Sequence, residues 1–397
     1  MTSNKTACGR NVLNRCHSPR CEHSVPFLWP FAAAIELGEE GMKLFQRNLG
    51  FLSETQKIAA PPPPEWATAN RVLLDMDTMR LRDFGPPVNS DLPVLIDAPY
   101  AGHSSTIADY DKGQSLVETL LASGLKRVLV ADWKAATPEM KDFDIDKYLA
   151  EINAAVDDLG GRVALVGLCQ GGWMSSIYAA RFPSKVRALV LAGSPIDTHA
   201  GDGPLKQMVE SLPASFYDNL VDAGGGLMRG QTMLAGWKNM HPTEQFLGKY
   251  IDLYANLGDE SYLKRTETFE RWYENPVDLP GRYYLQAIKR LFRDNELARG
   301  AFVALGRRVT LKDVSCPLYL LAGEADDITT PEQVFAAAKL VATPPGEIEK
   351  RVVPGGHIGL FMGARTLAET WPLVGNWLQR ATGTGTCADH DVVDQEA

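Results

Sequence analysis

Three residues set far apart in the chain have the types and order needed for acyl transfer: Cys169, an aspartate at 326 or 327, and His357. Cys169 lies in Val163-Ala164-Leu165-Val166-Gly167-Leu168-Cys169-Gln170-Gly171-Gly172, which has the form strand, G-x-C-x-G, helix. This is the nucleophile-elbow pattern with cysteine where serine is usual. A sharp strand-to-helix turn strains the backbone of the nucleophile, and the small residues Gly167 and Gly171 let neighbouring chain pass close by. The helix that follows aims its free N-terminal amides at the thiol, chiefly that of Gln170. They can stabilise a thiolate and the oxyanion of a tetrahedral intermediate. The bland alternative is an inert cysteine in a core turn, because Gly-rich turns also serve packing.

In such a fold the acid and then the base follow the nucleophile along the chain, each on a loop after a later strand. Leu318 to Ala322 reads as a strand and runs into Gly323-Glu324-Ala325-Asp326-Asp327, so either aspartate can supply the acid, with Asp326 the first candidate. Arg351-Val352-Val353 is the next strand, and Pro354-Gly355-Gly356-His357 follows it. Of the other histidines, His17, His23 and His390 fall in polar ends, His199 and His241 in a middle block, and His103 before the elbow. Only His357 has the context of a general base. The segment Asp97-Ala98-Pro99-Tyr100-Ala101-Gly102-His103 follows an early strand, where the second oxyanion donor belongs. The amide of Ala101 is the candidate donor, and Tyr100 and Trp272 are candidate substrate contacts.

The elements that must position these groups follow from periodicity. Val72 to Leu81 and Val94 to Ala98 read as strands, Gln114 to Ala122 as a helix, and Arg127 to Asp132 as a strand. A helix over Tyr148 to Leu159, the strand before Cys169, a helix over Trp173 to Arg181 and a strand over Ala188 to Ala192 continue the alternation. That rhythm predicts an α/β-hydrolase fold, a mostly parallel sheet with helices on both faces. From about Ile196 to Leu311 the chain turns aromatic-rich and mainly helical before the strand rhythm resumes, which predicts an inserted cap. Its aromatics Trp237, Tyr250, Tyr254, Trp272, Tyr283 and Tyr284 can line an acyl channel, although aromatics at helical spacing more often form core. The expected organisation is a tail, amphipathic segment and Pro-rich linker over 1–65, hydrolase core over 66–195, cap over 196–311, core again over 312–380 and a tail over 381–397.

Composition narrows the classes of function. The 397 residues are 45% hydrophobic and 22% charged with a formal net charge of −9, which supplies a sizeable core and no basic field for nucleic acid. Six cysteines are sparse for this length, and no apolar run with a small-residue cleavage site is seen, so a reducing cytoplasm is expected. Cys8, Cys16, His17, Cys21 and His23 cluster without paired C-x-x-C spacing, so no metal is expected there. The apolar run Val25 to Ile35 is interrupted by Pro30 and is too short to cross a bilayer.

With Gly167-Leu168-Cys169-Gln170-Gly171-Gly172 in view, the chain resembles the polyhydroxyalkanoate synthases, whose modified lipase box is G-x-C-x-G-G. Phe269-Glu270-Arg271-Trp272, Tyr283 to Asn295, Gly306-Arg307-Arg308-Val309-Thr310-Leu311 and Gly355-Gly356-His357-Ile358-Gly359 look like the same regions of the short, two-component synthases. The resemblance covers roughly Val72 to Leu378 and implies a Cys169, Asp326, His357 triad. It also implies a coenzyme A thioester as substrate with no other cofactor, a second subunit or a homodimer, and a place at the polyester granule surface. Asp327 stands where the synthases usually have a histidine, and Gly102-His103 looks more like the intracellular polyhydroxyalkanoate depolymerases. The resemblance therefore implies synthesis first, with hydrolysis by the same triad or a catalytically inactive granule-binding protein as alternatives.

Overall fold

The computed structural model describes residues 29–86, 92–240 and 248–383. The cysteine and histidine cluster near the start, His241, and the segment after residue 383 lie outside the described residues. The chain divides into two compact units, 1–52 and 53–397. The expected amphipathic segment is a helix, α1, over Trp29–Ala59. Among the described residues no helix is long and apolar enough to cross a membrane.

Eight strands form the main sheet: β1 (Arg71–Asp75), β2 (Met79–Asp83), β3 (Val94–Asp97), β4 (Val128–Trp133), β5 (Val163–Leu168), β6 (Val186–Ala192), β7 (Leu318–Gly323) and β8 (Ile348–Val353). Their order is β1-β2-β4-β3-β5-β6-β7-β8, antiparallel through β1, β2 and β4 and parallel from β4 to β8. This is the α/β-hydrolase fold that the alternation predicts. One element differs from expectation. Val72 to Leu81 is a hairpin rather than one strand, because the chain reverses at 76–78, where the backbone N–H of Met76 donates to Met79 and Thr78 bonds twice to the buried Glu151 carboxylate.

Strand side chains alternate between two cores, as a sheet buried on both faces requires. Leu95, Leu129, Leu165, Leu189 and Leu320 face a core shared with helices α3 (Ile145–Asp158) and α4 (Gln170–Arg181). Ile96, Val130, Val166, Val190 and Leu321 face the other, with α2 (Leu116–Ala122) and α7 (Trp371–Thr382). Between β6 and β7 lies the cap, whose helices include α5 (Glu260–Tyr273) and α6 (Gly281–Gln286).

Candidate active site

Cys169 lies between β5 and α4 with φ +50° and ψ −116°. That backbone conformation costs of order 1–3 kcal/mol and persists only where the surroundings over-determine it. Two glycines show how it is held. A Cβ on Gly171 would stand 2.0 Å from the carbonyl oxygen of Asp97, and one on Gly172 would stand 1.7 Å from Ser194 Oγ. The start of α4 is therefore pressed against the ends of β3 and β6, closer than any side chain would allow. Cys169 is a free thiol, partly exposed, and its backbone N–H donates to Ala192. Gln170 opens α4, so its N–H is among those a helix leaves without an intrahelical acceptor.

His357 lies on the loop after β8, and Asp326 on the loop after β7. Both are buried, with 6% and 4% of their surface exposed, so neither charge is shielded by water. His357 Nδ1 donates to Asp326 Oδ2 over 2.7 Å, while Asp326 Oδ1 accepts from the backbone N–H groups of Ile328 (3.1 Å) and Thr329 (2.8 Å). The structure thus pairs Asp326, rather than Asp327, with the imidazole. His357 packs edge-on against Phe361, with 5.2 Å between ring centroids. Burial alone would lower the pKa of His357, but the charges of Cys169 and Asp326 and the hydrogen bond to Asp326 raise it well above the usual value. His357 Nε2 is buried and has no hydrogen-bond partner among the described residues. With Nδ1 taken by Asp326, Nε2 is the ring nitrogen left open.

A thiol beside an imidazole that a carboxylate holds in one orientation is the arrangement nucleophilic catalysis uses. A family model described as a protein of unknown function, DUF3141, matches residues 85–344. The chain belongs to this family. Among curated relatives, the poly(3-hydroxyalkanoate) polymerase subunit PhaC of Haloferax mediterranei is 29% identical over 343 residues, 83% of this chain and 67% of the relative. The protein of the same name from Synechocystis is 27% identical over 377 residues, 90% of this chain and 97% of its own. Among solved structures, the monoacylglycerol lipase of Paleococcus ferrophilus aligns with a TM-score of 0.47 and 16% identity, covering 77% of this chain and all of that one.

In this DUF3141 chain two expected substrate contacts serve the core instead. Tyr100 is fully buried, packs on Trp133, Tyr148 and Tyr283, and donates its hydroxyl to the carbonyls of Lys134 (2.9 Å) and Asp278 (3.2 Å). Trp272 is 2% exposed, stacks on His103 at 4.5 Å and donates its indole N–H to Ser104. It also walls a cavity of about 300 Å³ beside the linker and α5, whose lining includes none of Cys169, Asp326 and His357. Both aromatics tie the cap to the loop after β3, where their rings are worth more as packing than as open contacts. Ala101 is on that same loop, partly exposed, next to Gly102, whose carbonyl accepts from Val277 of the cap.

Sequence reasoning did not give two further groups the contacts they make. Tyr283 is fully buried, accepts from Gln170 Nε2 at 2.8 Å and donates to Met174 Sδ at 3.0 Å. Its helical spacing allows core or channel lining, and the structure buries it with a polar contact to the residue after Cys169. Asp97, at the end of β3, is 1% exposed and takes a hydrogen bond from Ser175 Oγ at 3.0 Å. Burial pushes its carboxyl well above the usual range, against hydrogen bonds from Ser175 and Trp133. An aspartate ending a buried strand is the signal that could have found it.

Proposed function

We propose that the protein polymerises (R)-3-hydroxyacyl groups from coenzyme A thioesters, with Cys169 as the acyl carrier, His357 as base and Asp326 holding the ring. The observation that carries this reading is the ring of His357, fixed by Asp326 and acted on by Cys169 at a strained elbow. It is joined to the names of the curated relatives. In the first step the thiolate attacks the thioester carbonyl and a new C–S bond forms. The C–S bond to coenzyme A then breaks, and the departing thiolate takes the proton held by His357. Exchange of one thioester for another changes bond energy little, which suits a cysteine. The 3-hydroxyl of a second acyl unit then loses its proton to His357 and attacks the Cys169 thioester. An ester forms and the thiolate returns. The amides of Gln170 and Ala101 are the donors assigned to the oxyanion. A second subunit or a second copy of the chain, and a place at the granule surface, belong to this reading through the polymerase relatives.

The test is incubation with (R)-3-hydroxybutyryl-CoA, alone and with amorphous polyester granules, following free coenzyme A, soluble acid and polymer together. Cys169→Ala is expected to lower coenzyme A release and polymer formation by on the order of 10⁴-fold or more. Soluble acid from granules without coenzyme A would assign the same residues to hydrolysis. Equal behaviour of wild type and Cys169→Ala on both substrates would leave a binding protein without this chemistry.

A further inference from the structure

Beside the nucleophile stands a side chain with one end fixed and the other unused. Gln170 directly follows Cys169, and its Nε2 donates to the hydroxyl of Tyr283 over 2.8 Å. Tyr283 belongs to α6 of the cap, is fully buried, and hands its own proton to Met174. The carboxamide is therefore anchored through its nitrogen to a rigid group on the cap. Its oxygen, Oε1, is buried and has no hydrogen-bond partner among the described residues. Buried polar atoms without partners are rare in folded proteins, and one next to a nucleophile calls for an occupant. His357 Nε2 and Asp97 Oδ1 are likewise buried without a partner, and the reacting groups account for the first.

We propose that Gln170 Oε1 accepts a hydrogen bond from the 3-hydroxyl of the acyl substrate, so that the residue after the nucleophile reads the substrate twice. Its main-chain N–H faces the developing oxyanion, and its side-chain oxygen takes the hydroxyl two carbons further along. The two contacts fix the rotation of the acyl group about the bonds between carbonyl and hydroxyl, and so favour one configuration at carbon 3. Tyr283 is the positioning residue: with its hydroxyl removed, the amide can turn and the acceptor is no longer held. A hydrogen-bonding site of this kind discriminates against an analogue that leaves its polar atom unpaired. The assignment rests on the acyl-transfer reading above and adds the feature of the acyl group that is recognised.

The experiment compares coenzyme A release from (R)-3-hydroxybutyryl-CoA and from butyryl-CoA in single turnovers of the full-length protein. Wild type, Gln170→Met and Tyr283→Phe are measured together. Methionine keeps the length of the side chain and the main-chain N–H while removing the acceptor. Wild type is expected to prefer the hydroxylated substrate by about tenfold, the factor one well-placed hydrogen bond supplies. Gln170→Met should bring the ratio of the two single-turnover rates close to one, the hydroxylated substrate losing about tenfold more than butyryl-CoA. Tyr283→Phe should lower the preference in the same direction by a smaller factor. A preference that survives Gln170→Met, or a loss shared equally by both substrates, overturns the proposal. Absence of release from both substrates by a wild-type protein whose Cys169 is readily alkylated removes the acyl-transfer reading itself, and this assignment with it.

Discussion

Two histidines, each on a loop after a strand of the main sheet, are driven in opposite directions. His357, beyond β8, is raised well above the usual imidazole value, whereas His103, beyond β3, is pushed down to about 4. Burial acts against the charged form of both rings. The difference lies in what faces them. His357 has the Asp326 carboxylate and Cys169, while His103 packs against Trp272 and Tyr273 and donates Nε2 to the Tyr273 carbonyl at 3.1 Å. The same residue type is thus a ring held by a carboxylate at the core edge and a packing plate under the cap. Neighbouring charge, rather than depth, separates the two.

The largest effect should come from removing the charge that distinguishes them. Asp326→Asn keeps the shape of the loop and the acceptor for the amides of Ile328 and Thr329 but withdraws the negative charge from the ring. The pKa of His357, followed by NMR of its ring protons, is expected to fall. Turnover should drop by about 10²- to 10⁴-fold, the range that general acid–base groups contribute. A variant with unchanged turnover and an unchanged ring titration would show that the carboxylate is not what sets His357 apart. The stability side follows from the raised folded value. Wild type gains stability from His357 fully below the unfolded value of about 6.5 and loses it as pH rises through the folded one. In Asp326→Asn that loss should be smaller and be complete at lower pH.

A smaller effect tests whether the core edge is held by backbone rather than by side chains. In Gly171→Ala the added methyl meets the Asp97 carbonyl at 2.0 Å, and a carbonyl in a central strand cannot swing aside. A loss of about 1–3 kcal/mol in denaturant stability is expected, together with slower alkylation of Cys169 as the elbow shifts. Normal stability with normal alkylation would mean that the start of α4 has slack the contacts do not show.

The core edge was legible in the sequence because its parts are local. Strand, glycine-flanked cysteine and helix are contiguous, and the strands before Asp326 and His357 follow in the order the fold imposes. What stayed illegible depends on contacts between distant segments. Asp326 and Asp327 are equivalent as letters; only the two amides that cap Asp326 Oδ1 and the reach of Oδ2 to His357 separate them. The hairpin within 71–83 was hidden because its apolar alternation continues through the turn at 76–78. Tyr100 and Trp272 read as substrate contacts for the same reason. An aromatic that faces a pocket and one that braces two segments have the same spacing, and the Ser104, Lys134 and Asp278 carbonyls that hold these two are remote in sequence.

The smallest effect belongs to the cap side and has the opposite pH limb. His103 stays neutral in the fold down to about 4, chiefly through burial, with its bond to the Tyr273 carbonyl and the charge of Glu274 acting to raise it and Lys238 to lower it. An unfolded chain takes up its proton near 6.5. As pH falls from about 6.5 towards 4, the unfolded state therefore gains protons that the fold refuses, and stability falls across that window by at most about 3 kcal/mol. Above about 6.5 the contribution of His103 is complete and flat. His103→Gln keeps a donor for the Tyr273 carbonyl but has nothing to titrate, so its unfolding midpoint should lose part of the acid slope of wild type. Equal slopes in the two proteins would mean that the ring exchanges protons freely in the folded state, and that the packing of Trp272 and Tyr273 on it does not keep water away.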